Sequence, residues 1–534
     1  MNPAHRLRET HRILPMSSFF LLALLLLAGC AGGGLPAPAP PLPEAEPRPA
    51  APATPAAPLG DETSIVEVTI LHINDVYEIT PVEGGRAGGL ARVATLLDRL
   101  EAENPNTLMV LAGDLFSPSA IGTAQVDGER LAGRQMVAVL NRVGLDWATF
   151  GNHEFDVSED AFRERLAESE FGWVSGNVAA ASGEPWPGVE PWTVVTFGGA
   201  GAPALRLGLL GATLQSGDPD WVTVADPIPA LAAQAKERRG EVDVLVALTH
   251  LALDQDMKVV QTIPEIDLVL GGHEHENWEL RRGGGFTPIF KADANVRSVY
   301  VLRLRYDTAT RQLEIADELV PVTAEIPEDP ETAAVVEHWV DLAFDAFRQA
   351  GFEPEAAVTT IPEALDGRES SVRNRPTDLT DLVAEAMLAA AAGADAAVFN
   401  AGSIRIDDVL PAGPITQYDI IRVLPFGDDI VLVEMKGSLL TKVLDQGLAN
   451  RGTGGYLQRA GVTQADGGGW RIGGAPVDPA AAYKVILTDF LLTGREANLG
   501  YLTKDNPDLE VLQTLEDIRK VVITELEKRY GSPG

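Results

Sequence analysis

Five segments of this sequence end alike: an apolar run stops abruptly on Asp, Asn or His, often beside glycine. "EVTILHINDVYEI" delivers Asp75 and Tyr77, and "TLMVLAGDLF" delivers Asp114. "LDWATFGNHEFD" delivers Asn152, His153 and Asp156, "VDVLVALTHL" delivers His250, and "IDLVLGGHEH" delivers His273 and His275. Taken singly, each ending is what a satisfied turn residue looks like. Five together, using four of the six histidines that lie beyond His5 and His11, point to one site. Oxygen and imidazole donors without thiolate suit Zn, Mn, Fe or Co, not a sulfur-bound structural zinc. A bridging carboxylate completed by His and Asn is what two-metal hydrolysis of phosphate esters requires. Such ions sit about 4 Å apart, activate water and neutralise phosphoryl charge.

The elements that must hold these residues alternate between strand and helix. Between the first two runs, "GGLARVATLLDRL" sets Leu90, Val93, Leu97 and Leu100 on one helix face, with "NPN" as its stop. This is α/β patterning with polar residues at strand ends, where open α/β sheets place their sites. Along a strand Asp75 and Tyr77 share a face, whereas His72, three residues before Asp75, points to the other.

Length and charge bound the rest. A chain of 534 residues exceeds one core, and two folding units are expected. With 42 basic and 77 acidic residues, a formal charge of −35 excludes nucleic-acid polymers as partners. A small anion remains admissible where cations or placed arginines reverse the local field. The sole cysteine, Cys30, follows "FFLLALLLLAG", and "LAGC" resembles a bacterial lipobox. The apolar run is shorter than the roughly 20 residues of a membrane-spanning helix. Residues 1–29 are therefore expected to be a lipoprotein signal, with Cys30 lipidated, and 30–62 a Pro/Ala-rich tether. That places the protein at the cell envelope, lipid-anchored and facing periplasm or exterior.

In the C-terminal half, Arg405 follows a Gly-Ser turn and can grip a carboxylate or phosphate bidentately. Phe426 and Phe490 are aromatic platforms on which a planar base could stack. Without further context, core packing for such a Phe and solvation for such an Arg are the blander readings.

The order D-x-(H), GD, GNHE, TH, GGHxH resembles the calcineurin-like metallophosphoesterases. "FNAGSIR", "VLPFGDDIV", "GYLQRAGV" and "TDFLLTGREANLGYL" narrow the resemblance to the two-domain 5'-nucleotidase family, which includes UDP-sugar hydrolases and 2',3'-cyclic phosphodiesterases. The resemblance implies a four-layer α/β/β/α sandwich over 63–325, a linker helix within 326–355, and a smaller α/β substrate-binding domain over 356–534. It implies two divalent metal ions, held by Asp75, Asp114, Asn152, His250, His273 and His275, with Asp114 bridging. It makes His153 the catalytic imidazole, Asp156 its orienting carboxylate, and Arg368, Arg373, Asn400, Arg405, Phe426 and Phe490 the nucleotide-binding set. The implied reaction is in-line attack of hydroxide on a nucleotide, releasing nucleoside and phosphate. The same chemistry on UDP-sugars, cyclic nucleotides or another phosphoester is the alternative, as is a nucleotide-binding surface lipoprotein with little turnover.

Four positions depart from the family pattern. Tyr77 replaces the histidine of the first motif, and is expected to line the first metal position, with direct phenolate ligation or a weakened site as rivals. Arg368 and Arg373 are five apart, with Arg375 a substitute for Arg368. Asp428 stands where asparagine is usual, and Glu496 is the nearest candidate for a ribose-binding carboxylate. The segment 326–355 is where a hinge is expected, with few contacts crossing it.

Overall fold

In the strand Ile65–Ile73, alternate residues leave in opposite directions. Val66, Val68 and Ile70 enter one apolar layer, and Leu71 and Ile73 enter another. The chain is known from a computed structural model that describes residues 62–531 except 200 and 218. The signal, Cys30 and most of the tether lie outside the described residues.

The first sheet has seven strands. Ile65–Ile73 pairs in parallel with Thr107–Ala112, and on its other side antiparallel with Ser298–Asp307. The second sheet has six, with Ala204–Thr213, Val244–His250, Leu268–Gly271 and Thr287–Lys291 parallel at its centre. The layer between the sheets is built from Val66, Val68, Leu108 and Val110 on one side and Leu207, Leu209, Val246 and Leu270 on the other. Helices Leu90–Glu103 and Arg134–Val143 pack on the outer face of the first sheet. Pro227–Arg238 and Leu253–Thr262 pack on that of the second. The expected α/β/β/α layering follows, because each sheet is apolar on both faces and must be covered twice.

After residue 357, strands pair only with one another among the described residues. The main sheet there has five strands, with Ala396–Asn400 between Leu457–Ala460 and Ala482–Thr488. Between the two sets of sheets runs the helix Pro330–Gln349, started by Pro330 and capped by Asp329, whose carboxylate accepts from the Thr332 N–H at 2.7 Å. The expectation of few contacts here is corrected. Ala343, Ala346 and Phe347 are buried, and the helix lies against Leu90–Glu103 and Arg134–Val143. An amphipathic stripe must cover its apolar side, and here it joins a core that continues from Leu71 to Leu526. The described residues fall in one compact unit, and none of their helices is long and apolar enough to cross a membrane.

Candidate active site

The strand-end turns bring the chemistry-bearing residues together at severe local angles. Asp75, Asp114 and His273 all have positive φ, at 52°, 62° and 82°. Such angles persist in non-glycine residues only where surrounding contacts enforce them. Glycine makes the approach possible: a Cβ on Gly113, φ 82°, would press on the Gly151 N–H and on His250 Nδ1. At Asp114 the enforcing group is Glu154, fully buried, whose carboxylate accepts from the backbone N–H groups of Asp114, Leu115, Phe116 and Gly151. Sequence reasoning misses Glu154, although it sits inside the quoted "GNHE".

Each carboxylate is anchored by backbone or amide donors at one oxygen and turns the other toward the imidazoles and Tyr77. Asp75 Oδ2 accepts from Asn74 Nδ2 at 2.7 Å and from the His273 N–H at 2.9 Å. Asp114 Oδ1 accepts from the His153 N–H at 2.8 Å. The remaining oxygens converge: Asp114 Oδ2 lies 3.3 Å from His250 Nε2, and Asp75 Oδ1 lies 3.6 Å from His275 Nε2. His250 Nδ1 is 2.8 Å from the Ala112 carbonyl, which fixes that nitrogen as the donor and turns the Nε2 lone pair toward the carboxylates. Nε2 has no hydrogen-bond partner, nor does the buried Asn152 Oδ1. Asp75, Asp114 and His250 thus form a buried group able to hold a divalent cation. Burial opposes charge on His250, yet Asp114 and Asp75 push it up to about 9, which shows the same local demand for positive charge. His273 completes this side, its ring 5.4 Å from that of His250.

Tyr77 stands at the first cation position, buried and in contact with three of its candidate ligands. Its hydroxyl lies 2.9 Å from Asp114 Oδ2, 3.3 Å from Asp75 Oδ1 and 3.1 Å from His275 Nε2. The hydroxyl proton serves one of the two carboxylates, and the hydroxyl oxygen can itself accept from His275 Nε2 when that nitrogen carries a proton. The spacings match those between ligands on one tetrahedral ion, about 3.3 Å for metal–ligand bonds near 2 Å. Burial, then Asp114 and Asp75, hold the free phenol well above its usual range. It therefore enters such a site as a neutral donor unless a strong Lewis acid ionises it. His72 lies outside this group, its Nε2 3.1 Å from the Gly271 carbonyl.

Lys291, also missed by sequence reasoning, ties the histidine turns together from beneath. It is fully buried. Its ammonium donates to the carbonyls of Leu251 at 2.6 Å and Gly272 at 2.8 Å, and pairs with Asp256 at 2.8 Å and with Glu274. Of these acceptors, Leu251, Gly272 and Glu274 directly flank His250, His273 and His275.

At the rim, His153 Nδ1 is 2.6 Å from Asp156 Oδ2, the arrangement the sequence leads one to expect. Burial lowers the imidazole's proton affinity, but Asp156 and Asp114 together raise it above its ordinary value. From Asp156 a cavity of about 1260 Å³ extends to Asn400, Arg405, Phe426, Phe490 and Glu496. Phe426 and Phe490 line the same cavity, each with a guanidinium above its ring, Arg405 at 5.5 Å and Arg495 at 5.8 Å. Arg373 joins Arg405 through Glu369, which pairs with both, and the Nε atoms of both arginines are buried without partners. Arg368 does not join them. It and Arg375 both turn to Asp366, because a carboxylate two residues from Arg368 captures the guanidinium locally. Glu369, not singled out from the sequence, takes the place beside the arginines.

Asp428 also lines this cavity. Partial burial, then Asp489 and Asp517, push its carboxyl up to about 6. A group raised in the folded state contributes fully below its unfolded value, near pH 4, and loses that contribution as pH rises through about 6. Asp428→Asn should therefore gain about 1 kcal/mol on the parent between pH 4.5 and 7.5 after solvent screening. Parallel thermal melts at the two pH values check this, and identical pH profiles would contradict it.

Residues 68–277 match the family model of the calcineurin-like phosphoesterases, and residues 356–499 that of the 5'-nucleotidase C-terminal domain. The chain is 24% identical over 450 residues to the trifunctional nucleotide phosphoesterase protein YfkN of Bacillus subtilis, covering 74% of this chain but 29% of that longer one. It is 26% identical over 446 residues to 5'-nucleotidase of Bos taurus, covering 74% of this chain and 75% of the relative. The structure of a 5'-nucleotidase precursor from Thermus thermophilus superposes with a TM-score of 0.70 at 23% identity, over 87% of this chain and 97% of that one. One family model falls on the two-sheet sandwich and the other on the smaller C-terminal sheet, in that order, and the chain belongs to the two-domain 5'-nucleotidase family of metallophosphoesterases.

Proposed function

We propose that the protein is a metal-dependent phosphoesterase that hydrolyses nucleotides to nucleoside and phosphate. The observation that carries this reading is the single cavity running from Asp156, beside His153, to the paired aromatic residues Phe426 and Phe490. Its lining offers arginine at Arg405 for a phosphate and two phenylalanine rings for a planar base.

Asp75, Tyr77, Asp114 and His275 would hold one divalent ion, and Asp114, Asn152, His250 and His273 a second, drawn from Zn, Mn, Co or Fe. When bound, such ions lower the pKa of water and neutralise phosphoryl charge. The chain's own groups do the rest. Arg405 and Arg373 offer guanidinium donors to the anionic part of the substrate, and the two phenylalanines stack the base. His153 directs a protonated imidazole at the phosphoryl group or at the leaving oxygen, and Asp156 holds its orientation.

Phosphate release from AMP, with Mn or Co supplied, should appear in the chain stripped by chelator only when the ions are restored. A panel of UDP-sugars and 2',3'-cyclic nucleotides beside AMP identifies the preferred ester. No release from any of them would sink the reading. A visible-absorption scan of the iron-loaded protein tests Tyr77: a phenolate-to-iron band marks direct ligation. Anchoring at Cys30 rests on "LAGC", and Cys30→Ser should release the protein from membranes.

A further inference from the structure

Two of the three candidate ligand histidines, His250 and His275, are held by different parts of the chain. Nδ1 of His250 finds its acceptor in the Ala112 carbonyl, within the same two-sheet sandwich. Nδ1 of His275 lies 2.6 Å from Asp407 Oδ2, 132 positions later and beyond the long helix. Among the described residues the sandwich offers that nitrogen no hydrogen-bond acceptor of its own.

Asp407 is built to face this way. It is 7% exposed, and its other oxygen accepts from the Glu369 N–H at 2.7 Å. Its φ of 38° is unusual for a residue with a side chain, so its surroundings hold it there. Glu369 adds a second carboxylate 3.8 Å from the same ring nitrogen, while its other oxygen stays with Arg373 and Arg405. The contact therefore links His275 to the residues proposed to grip the substrate.

A carboxylate that accepts from Nδ1–H fixes the tautomer, aims the Nε2 lone pair at the opposite side and strengthens it as a ligand. For His275 that side is occupied by Asp75 and Tyr77. We propose that Asp407 is a positioning residue through which the C-terminal part prepares the first cation position, so that this position binds its ion tightly only while the two parts are docked. The second position, served by His250, carries its own support. Because such coupling is reciprocal, filling the first position must also favour the docked arrangement. This rests on the metal-dependent reading above.

The test uses the full chain stripped of ions and titrated with Mn²⁺ by equilibrium dialysis. The parent should show two classes of site. Asp407→Ala should weaken one class about 10- to 100-fold, the usual effect of removing a carboxylate behind a ligating histidine, and leave the other unchanged. Asp407→Asn should lose less, since its amide oxygen still accepts from Nδ1–H. Hydrogen exchange supplies the reciprocal readout. Saturating Mn²⁺ should slow exchange over residues 404–410 in the parent and not in His275→Ala. Two intact classes in Asp407→Ala, or both classes falling together, overturn the proposal while sparing the phosphoesterase reading. A parent that takes up no cation overturns both.

Discussion

Replacing His153 with alanine lowers turnover about 100-fold or more while bound cation stays at its parental level. The first half follows from the position of the imidazole, at the rim where the cavity begins and locked to Asp156 at 2.6 Å. A positioned general acid or charge-stabilising group contributes on that scale, about 3 kcal/mol or more of barrier. The second half follows from a distinction between ring and backbone. What His153 gives the cation cluster is its N–H, which holds Asp114 Oδ1 at 2.8 Å, and alanine keeps that donor. Steady-state phosphate release beside metal analysis of the same preparation checks both. Parental turnover would remove His153 from the mechanism, and loss of metal would recast it as a ligand.

Lys291→Met has the largest expected effect on the fold. The ammonium is fully buried with Asp256 and shares Glu274, and methionine would leave both carboxylates without their cation and two carbonyls without this donor. Breaking one side of a buried pair costs about 3–5 kcal/mol, because the partner remains charged in a place poor in water. Here the loss also frees the turns carrying His250, His273 and His275, so thermal stability and cation affinity should fall together. The control is Asp256→Asn combined with Lys291→Met. Removing both charges should restore part of the stability, as coupled neighbours do. A single variant that melts like the parent would show that the network carries neither role.

Much of the site is legible in the sequence because its signals are local. A strand repeats every two residues, so "TLMVLAGD" and "VDVLVALTH" declare both a buried strand and the polar residue at its tip. The helix over Leu90, Val93, Leu97 and Leu100 declares itself by its own period, and all four are buried. Asp75, Asp114, Asn152, His250, His273 and His275 could be named because donor type and position travel together in such motifs. The α/β alternation was legible in the same way, whereas the two-sheet layering was implied by the family resemblance.

Other features had no local signature. Lys291 ends one more apolar strand, and only the folded chain shows its ammonium on two turns whose contacting residues lie 17 to 40 positions away. Arg368 and Arg373 looked alike as candidate grips until Asp366 took the first and Glu369 joined the second. The long helix reads as a connector, yet its apolar stripe ties it to the sandwich. Tyr77 stood where a histidine was expected, and only the folded chain brings its hydroxyl to Asp114 and His275. Sequence period fixes which way a side chain leaves its own element, and so the chain by itself determined the strands, their ends and the kind of atoms gathered there. Which groups meet across 132 or 198 positions, as Asp407 and Tyr77 meet His275, depends on how whole layers settle against one another, and only the tertiary structure decided that.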